Sequence, residues 1–482
     1  MSLDTQRQKN FALALLALTQ FMIVIDASIT NVALPTIGRD LRINQTDLSW
    51  VVNAYTLTFG GFLLLGGRLA DLIGRRRMFA IGLIVFGLGS LLGGLAASSN
   101  FLDGARALQG VGAALVSPAA LSLVTTIFAE GSERNRALGV WGAVAGAGGA
   151  VGVLLGGVLT QIDWRLVLFV NVPVAAAAIL AAPRILPEGK DPTEVRGFDI
   201  PGAISATAGL GLLVYAMVKA SQQGWGTTGT AVRLVVAVVL LLAFVVIEMR
   251  TEHPLLPFSI FRLRTLRGAN IAGVLTGMSL FSMFLFISYY LQFVLGYSAI
   301  KTGIAYLPLA VSIILAAGAS SQLVTRIGFK PTLIGGLGLV AVGLFWFSRI
   351  SPTGSYLSDV LGPSILAGLG LGLTFVSVTI AAVTGTSGPQ AGIASGLINT
   401  SQQIGGALGV AILVSVSTSR IAGFGRAAGT HHALVAGYSR AFLIGCGFAV
   451  LGVLLSAVFV SGRDSREQAE AARRGEAVVV AA

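Results

Sequence analysis

Two charged residues inside apolar segments are the positions where this sequence could do chemistry. Asp26 lies in the apolar run 11–33, and Arg106 lies in the apolar run 102–128. An ionised carboxylate in hydrocarbon costs several kcal/mol unless it is paired or protonated. Burial favours the neutral acid, whereas a nearby cation favours the ionised one. We therefore expect Asp26 and Arg106 to meet and to couple proton movement. A static ion pair between two helices is the alternative.

Polar side chains recur at helical spacing in other apolar runs. Thr30 shares a helical face with Asp26, because it follows four residues later. A cavity lined by hydroxyl, amide and aromatic groups would bind amphipathic molecules. Interhelical hydrogen bonding explains each residue equally well when it is taken singly. The candidate cavity residues are Thr30, Asn53, Thr56, Tyr289, Gln292, Asn399 and Gln403.

The elements that must position these residues are membrane helices. Of the 482 residues, 55% are hydrophobic and 11% are charged, whereas about 25% are charged in soluble domains. Apolar runs of about 20 residues each cross a bilayer once. The sequence predicts fourteen such helices in a multi-pass protein of the cell membrane, near 11–33, 50–67, 78–97, 102–128, 137–160, 166–182, 202–218, 234–249, 270–293, 303–324, 332–347, 360–383, 392–418 and 437–460.

Lysine and arginine predict the orientation of these helices. Most of the 32 basic residues fall in loops that are cytoplasmic when both termini are cytoplasmic, as the positive-inside rule requires. The net charge of +12 therefore reflects topology, and we expect no nucleic-acid partner. The lipid bilayer is the expected surrounding, and a monomer is the expected state.

Several classes of site find no support in the sequence. The single cysteine, Cys446, and three scattered histidines offer no recognisable metal site, and no cofactor is expected. The sequence contains no GxxxxGK[ST] loop for ATP and no recognisable catalytic set. We expect a protein that is not an enzyme, with a membrane-embedded enzyme or scaffold as the alternative of a different class.

An internal repeat predicts how the helices are grouped. The stretches 67–83 and 321–337 align at an offset of 254 residues, which is between seven and eight helices. Transporters are often built from repeated helix bundles, and two six-helix bundles with two helices between them fit this offset. The predicted parts are 1–184 for the first bundle, 185–268 for the inserted helices, 269–460 for the second bundle and 461–482 for a cytoplasmic tail.

Four motifs together resemble the major facilitator superfamily. The loop after the second run reads GRLADLIGRRR and resembles the GxLaDrxGrr signature of that family. The stretches DASITNVALP from Asp26, LDGARALQGVGAA around Arg106 and WRLVLFVNVP from Trp164 resemble the fourteen-helix drug:proton antiporter branch. The resemblance implies an all-α major facilitator fold that exports lipophilic or cationic compounds against inward proton flow. A proton-coupled importer is the alternative within transport. The glycine-rich fifth run lacks two prolines that the resemblance predicts near Gly149 and Val153.

The signature loop is interpreted as a gate. We expect Asp71 to meet the positive end of a neighbouring helix, or Arg136, in one conformation only. Ordinary topology-setting charge explains the arginines but leaves Asp71 and the glycines unexplained. The predicted gate residues are Gly67, Asp71, Gly74, Arg75 and Arg136.

The buried charge predicts which substrates are carried. In the second half, Ser364 aligns with Arg106, and no acid aligns with Asp26. Proton and substrate must then share a single acid. A dication beside one carboxylate would remain half uncompensated, at a cost of several kcal/mol. Small neutral or monocationic amphipathic substrates are expected, and Glu248 or Asp103 would be the nearest second acid.

Overall fold

Helices make up the regular structure of the chain throughout the part that is described. The structure is a computed structural model, and it describes residues 5–43, 48, 50–129, 131–188, 199–252, 254, 256, 258–386, 388–423 and 430–474. No strand occurs in these ranges. The all-α class predicted from the sequence is confirmed.

The helices follow one another with short connections. The first six are α1 (Gln6–Asp40), α2 (Trp50–Ile73), α3 (Arg75–Gly94), α4 (Ser99–Ile127), α5 (Ser132–Ile162) and α6 (Leu166–Ile185), the last with a break at Val170. Next come α7 (Ile200–Gln223) and α8 (Thr228–Glu248). The remaining helices are α9 (Arg264–Tyr289), α10 (Leu307–Ile327), α11 (Phe329–Phe347), α12 (Gly362–Val383), α13 (Gly388–Ala422), α14 (Thr430–Phe459) and α15 (Gly462–Arg474).

The fourteen predicted spans each coincide over most of their length with one of the helices α1 to α14. Thirteen helices are long and apolar enough to cross a membrane, judged on the residues that are described. The remaining one is α5, a helix of 31 residues whose described apolar part is Val151–Ile162. The chain is therefore a multi-pass membrane protein.

Helix contacts group the chain into two bundles with a hairpin against them. In the first half, α4 packs against α2 and α3, and α1 packs against α5; in the second half, α12 packs against α10 and α11, and α9 packs against α13 and α14. The inserted helices α7 and α8 pack on each other, and α7 also contacts α2 and α13. The bundles meet where α5 contacts α10 and where α2 contacts α13.

The close glycine contacts of α4 and α12 show that the two bundles repeat the same packing. A Cβ atom added to Gly110 would collide with α2 at the Tyr55 carbonyl oxygen, and one added to Gly368 would lie 2.7 Å from the Leu309 carbonyl oxygen of α10. Tyr55 and Leu309 are themselves related by the offset of 254 found in the sequence. The repeat is therefore structural, because equivalent backbones approach each other at equivalent glycines.

The two departures from the expected proline motif leave α5 unbroken. The helix runs from Ser132 to Ile162 through both Gly149 and Val153. A Cβ atom on Gly152 would overlap the Ser28 hydroxyl group of α1. The absence of a side chain at Gly152 therefore lets α1 approach α5 closely.

The apolar core closes the end of the molecule that the basic residues predict to be cytoplasmic. One cluster there contains residues of both bundles, including Leu15 and Leu16 of α1, Leu138 of α5, Val324 of α10 and Val383 of α12. Toward the opposite end, the core divides into one cluster around Ile29, Val51 and Trp164 and another around Phe286, Leu309 and Phe442. The structure thus has a closed cytoplasmic side.

Candidate functional site

Asp26 and Arg106 form a completely buried ion pair. Nη1 of Arg106 lies 2.5 Å from Oδ2 of Asp26, and both side chains have 0% exposure. The structure therefore brings together the two residues that the sequence predicted to meet. Because neither charge contacts solvent, each depends on protein groups for the solvation it has lost.

Two amide side chains complete the shell of the Asp26 carboxylate. Nε2 of Gln109 and Nδ2 of Asn171 each donate to Oδ1 of Asp26, both at 2.8 Å. With Arg106, the carboxylate accepts three hydrogen bonds from α4 and α6. Hydrogen bonds to a charged group are about twice as strong as neutral ones, so this shell fixes the Asp26 carboxylate against α4 and α6.

Arg106 is held by the same cluster. Its Nε atom donates to the Val51 carbonyl oxygen of α2 at 3.0 Å, and Nη1 also donates to Oε1 of Gln109 at 2.6 Å. Its guanidinium carbon lies 4.5 Å from the ring centroid of Tyr55, which is cation–π distance. Nη2 has no hydrogen-bond partner among the described residues. One donor of the buried cation thus remains available when the cluster rearranges.

The cluster extends to a fifth helix of the bundle, α3. Nε2 of Gln109 also donates to Oγ of Ser90 on α3, at 2.6 Å. Ser90 and Gln109 both have 0% exposure. Five helices, α1, α2, α3, α4 and α6, therefore meet at Asp26, and a change in its charge would be felt by all of them.

The helix that carries Asp26 is longer than the sequence predicted. Helix α1 ends at Asp40, so Asp26 lies 14 residues, or about 21 Å, from its outer end, instead of the expected seven residues. The extension is held by Nε1 of Trp164 at 2.8 Å and Nη1 of Arg165 at 3.0 Å, both donating to Oδ2 of Asp40. These hydrogen bonds lower the pKa of Asp40, the bond from Trp164 having the larger effect.

The predicted gate residues lie together around the α2–α3 turn, with one exception. Oδ1 of Asp71 lies 3.6 Å from Nη2 of Arg75, and the Asp71 side chain is 6% exposed. Both oxygens of Asp71 lack a hydrogen-bond partner in the described part of the chain. The sequence predicted Arg136 as one possible partner of Asp71, but Arg136 is exposed on α5. The ion-pair partner of Asp71 in this conformation is Arg75.

The turn itself requires glycine. Gly74 has a φ of +105° between α2 and α3, and Gly328 has a φ of +92° at the equivalent turn between α10 and α11. Such angles are costly for residues with a Cβ atom. Gly67, which precedes Asp71 by one turn of α2, lies against α13. A Cβ atom on Gly396 of α13 would be 3.8 Å from the Gly67 Cα. Asp71 follows Gly67 by four residues, so it lies on the same face of α2.

The predicted cavity residues are spread over both bundles. Three of them use their polar groups within their own helices: the side chains of Thr30, Thr56 and Asn399 donate to the carbonyl oxygens of the residues four positions earlier. Thr30 is completely buried, and Asn53, Gln292 and Gln403 are half-buried. No contact among the described residues joins any of these side chains directly to the Asp26 carboxylate.

Tyr289 packs inside the second bundle. Its ring lies 5.5 Å from the Phe293 ring and 6.1 Å from the Tyr438 ring of α14, measured between centroids. The side chain is 37% exposed. These contacts place Tyr289 on the α14 side of α9.

Neither of the two candidate second acids contacts Asp26. Glu248, at the end of α8, accepts a hydrogen bond from the Leu256 N–H at 3.1 Å and is buried, as is Asp199 before α7. Asp103 lines a cavity of about 340 Å³ with Arg42 and Trp50 at the outer ends of α2 and α4. Among the described residues 264–459, none of the buried side chains is charged. The buried charge of the two bundles therefore concentrates at Asp26.

Sequence reasoning missed Gln109, Asn171 and Ser90 as partners of Asp26. Gln109 follows Arg106 by three residues, so it lies on the same face of α4, and that spacing was a usable signal. Asn171 belongs to the motif that begins at Trp164, whose purpose was not apparent from the sequence. The structure shows that this motif contacts α1 at two places, at Asp40 through Trp164 and Arg165 and at Asp26 through Asn171.

Sequence comparison identifies the protein family that this chain matches. The sequence model described as "Major Facilitator Superfamily" matches residues 16–410. The puromycin resistance protein pur8 of Streptomyces alboniger is 42% identical over 470 residues, which cover 95% of this chain and 92% of that protein. The cephamycin export protein CmcT of Amycolatopsis lactamdurans is 43% identical over 421 residues, 86% of each chain.

Solved structures show the same fold at low sequence identity. The human organic anion transporter MFSD10 superposes with a TM-score of 0.66 at 15% identity, covering 93% of this chain and 99% of that one. The match extends over nearly the whole of both chains. It supports the two-bundle architecture described above.

Proposed function

The chain is a member of the Major Facilitator Superfamily and a multi-pass protein of the plasma membrane, and we propose that it exports small amphipathic compounds in exchange for protons. The export direction is supported by the relatives, whose names describe resistance to or export of antibiotics. Fold alone does not determine function, so the coupling mechanism is argued from the site.

The observation that carries the proposal is the sealed Asp26–Arg106 pair. The Asp26 carboxylate accepts hydrogen bonds from one cation and two amide groups, all of them buried. A proton that neutralised Asp26 would weaken all three hydrogen bonds, since each is strengthened by the negative charge. Because the donors come from α4 and α6, protonation changes how α1 is held in the bundle. Proton binding is thereby linked to helix rearrangement.

The α2–α3 turn supplies the conformational latch in this proposal. Both oxygens of Asp71 lack a hydrogen-bond partner in the described residues, and the nearest cation is Arg75 at 3.6 Å; because Asp71 lies on the same face of α2 as Gly67, which contacts α13, we place it near the first turns of α13. The first N–H groups of a helix attract negative charge. We infer that Asp71 stabilises the closed cytoplasmic side, and that this contact is released when the transporter opens inward.

The substrate class follows from Asp26, the one completely buried acid among the described residues of the two bundles. The Asp26–Arg106 pair is already neutral overall, so a neutral molecule adds no charge that needs compensation, a monocation adds one and a dication adds two. Puromycin is an amphipathic nucleoside with one ionisable amine, which makes it a suitable first probe. The half-buried amides Asn53, Gln292 and Gln403 are proposed to contribute polar contacts to the substrate path.

The proposal is tested by transport into inside-out membrane vesicles. With an acidic lumen, vesicles containing the protein should accumulate labelled puromycin above the level of vesicles without it, which controls for passive trapping of the amine. Collapse of the pH gradient with nigericin should remove the difference. Accumulation only in right-side-out vesicles with an acidic exterior would instead indicate an importer.

A further inference from the structure

We propose that the tail helix α15 is part of the cytoplasmic gate, and that Gln468 is the residue through which it links the two bundles. The inference rests on the inward opening of the transporter proposed above but not on its proton coupling. The sequence predicted only a cytoplasmic tail for 461–482. The structure shows a buried contact surface on that tail.

The tail helix is anchored first on the second bundle. Oγ of Ser465 accepts a hydrogen bond from the Lys330 N–H at 3.0 Å, and Asp464 is hydrogen-bonded to Thr265 at the start of α9. The approach is possible because Gly328 has no side chain: a Cβ atom there would collide with Ser465. Arg473 also donates to the Thr325 carbonyl oxygen at 3.3 Å.

From this anchor, one side chain reaches the other bundle. Nε2 of Gln468 donates to Oδ1 of Asn135 on α5 at 3.0 Å. Nδ2 of Asn135 in turn donates to Oγ1 of Thr325 on α10 at 3.1 Å. Gln468 and Asn135 are only 4% and 2% exposed. The three residues form one chain of hydrogen bonds across the boundary between the bundles.

This arrangement favours the closed cytoplasmic side for a simple reason. Inward opening must separate α5 from α10, and the Asn135 amide then loses its partners on Thr325 and Gln468. A buried polar group without its partner costs about 1–3 kcal/mol. The face of α15 around Gln468 is otherwise formed by Ala469 and Ala472, both buried, and these small side chains let the helix lie close to the gate.

The charged face of the same helix offers a matched control. Glu470 is exposed on α15 two residues after Gln468. If the helix acted only as a soluble extension, Gln468→Ala and Glu470→Ala would behave alike. If Gln468 holds the gate, only its replacement releases α5.

The test measures the gate directly, without substrate or a pH gradient. Spin labels are attached at Ser132 on α5 and Arg267 on α9, both exposed, after Cys446→Ser, and distances are measured by pulsed electron paramagnetic resonance. Gln468→Ala should raise the ratio of open to closed distances about fivefold, the effect of one lost hydrogen bond, while Glu470→Ala leaves it unchanged. Adding Gln468→Ala to Asn135→Ala should produce no further shift, because Asn135 is the shared partner.

A second measurement keeps the inference falsifiable if the variants fold poorly. The double variant Gln468→Cys with Asn135→Cys, cross-linked by a short bifunctional thiol reagent, should lose substrate counterflow. The same reagent on either single variant should leave counterflow unchanged. An unchanged distance distribution in a folded Gln468→Ala protein, or full counterflow in the cross-linked protein, would overturn the proposal. If the unmodified protein showed no proton-driven transport while Gln468→Ala still shifted the distances as expected, the proposed function would be wrong and this inference would stand.

Discussion

At Asp26, a charge that is costly in a membrane is stabilised by three hydrogen-bond donors from two other helices. The pairing with Arg106 could be predicted, because ionisable residues inside apolar runs are rare and seek partners. The contribution of Asn171 could not be predicted, since it depends on the angle at which α6 crosses α1. That angle is fixed by tertiary contacts such as Trp164 with Asp40, which lie outside the local pattern.

A first prediction concerns Asn171. Asn171→Leu keeps the size of the side chain but removes one donor from the buried carboxylate, and it should lower the free energy of unfolding by about 1–3 kcal/mol. Thermal unfolding in detergent measures the change. In an Asp26→Asn background the cost should shrink, because the acceptor is then neutral. Asn31→Leu, at an exposed position on α1, should have little effect. Equal costs for Asn171→Leu with and without Asp26 would show that the two residues are not coupled.

At the scale of elements, apolar runs predicted all fourteen membrane helices but not every boundary. The extension of α1 to Asp40 was missed because its last residues, such as Arg39, are polar and the helix there is held by α6. The tail helix α15 was missed because it is short and highly charged, so that no apolar run marks it. Both cases depend on docking against other helices, which a hydropathy criterion does not register.

A second prediction belongs to the α2–α3 turn. Asp71→Asn removes the charge that we place against α13, and Gly74→Ala imposes a φ of +105° on a residue with a Cβ atom. Either change should slow transport turnover about tenfold or more, while substrate affinity changes less than twofold, because neither residue lies at the proposed substrate site. Binding titrations and transport rates on the same preparations make the comparison. A selective change of affinity among substrates with normal turnover would contradict the latch.

At the scale of the whole molecule, the two bundles repeat the same glycine contacts but differ in charge. The completely buried charges of the described part of the bundles, Asp26 and Arg106, lie in the first bundle, while Ser364 occupies the position equivalent to Arg106. This asymmetry was legible in the sequence, because the aligned second half lacks acids in its spans. The substrate path itself was less legible: Thr56 and Asn399 bond to their own helices, and Tyr289 packs toward α14.

A third prediction concerns substrate charge. A monocationic dye should be exported at least several-fold faster than a dicationic analogue of similar size in the same vesicles. Arg106 already compensates the Asp26 carboxylate, so each charge of the substrate must be desolvated without an acid of its own, and the dication carries two such charges. The neutral analogue serves as the control for size. Equal or faster export of the dication would reveal a second functional acid, with Asp103 at the outer cavity and Glu248 on α8 as the first positions to replace.

The most direct test of the account compares two transport modes of Asp26→Asn. In proteoliposomes, export driven by an imposed pH gradient requires a proton to bind and leave, whereas counterflow of labelled against unlabelled substrate does not. We predict that the variant, correctly folded by size-exclusion chromatography, loses gradient-driven export to the level of empty liposomes and retains neutral-substrate counterflow. Gradient-driven accumulation equal to that of the wild-type protein would contradict the central claim that Asp26 carries the coupling proton.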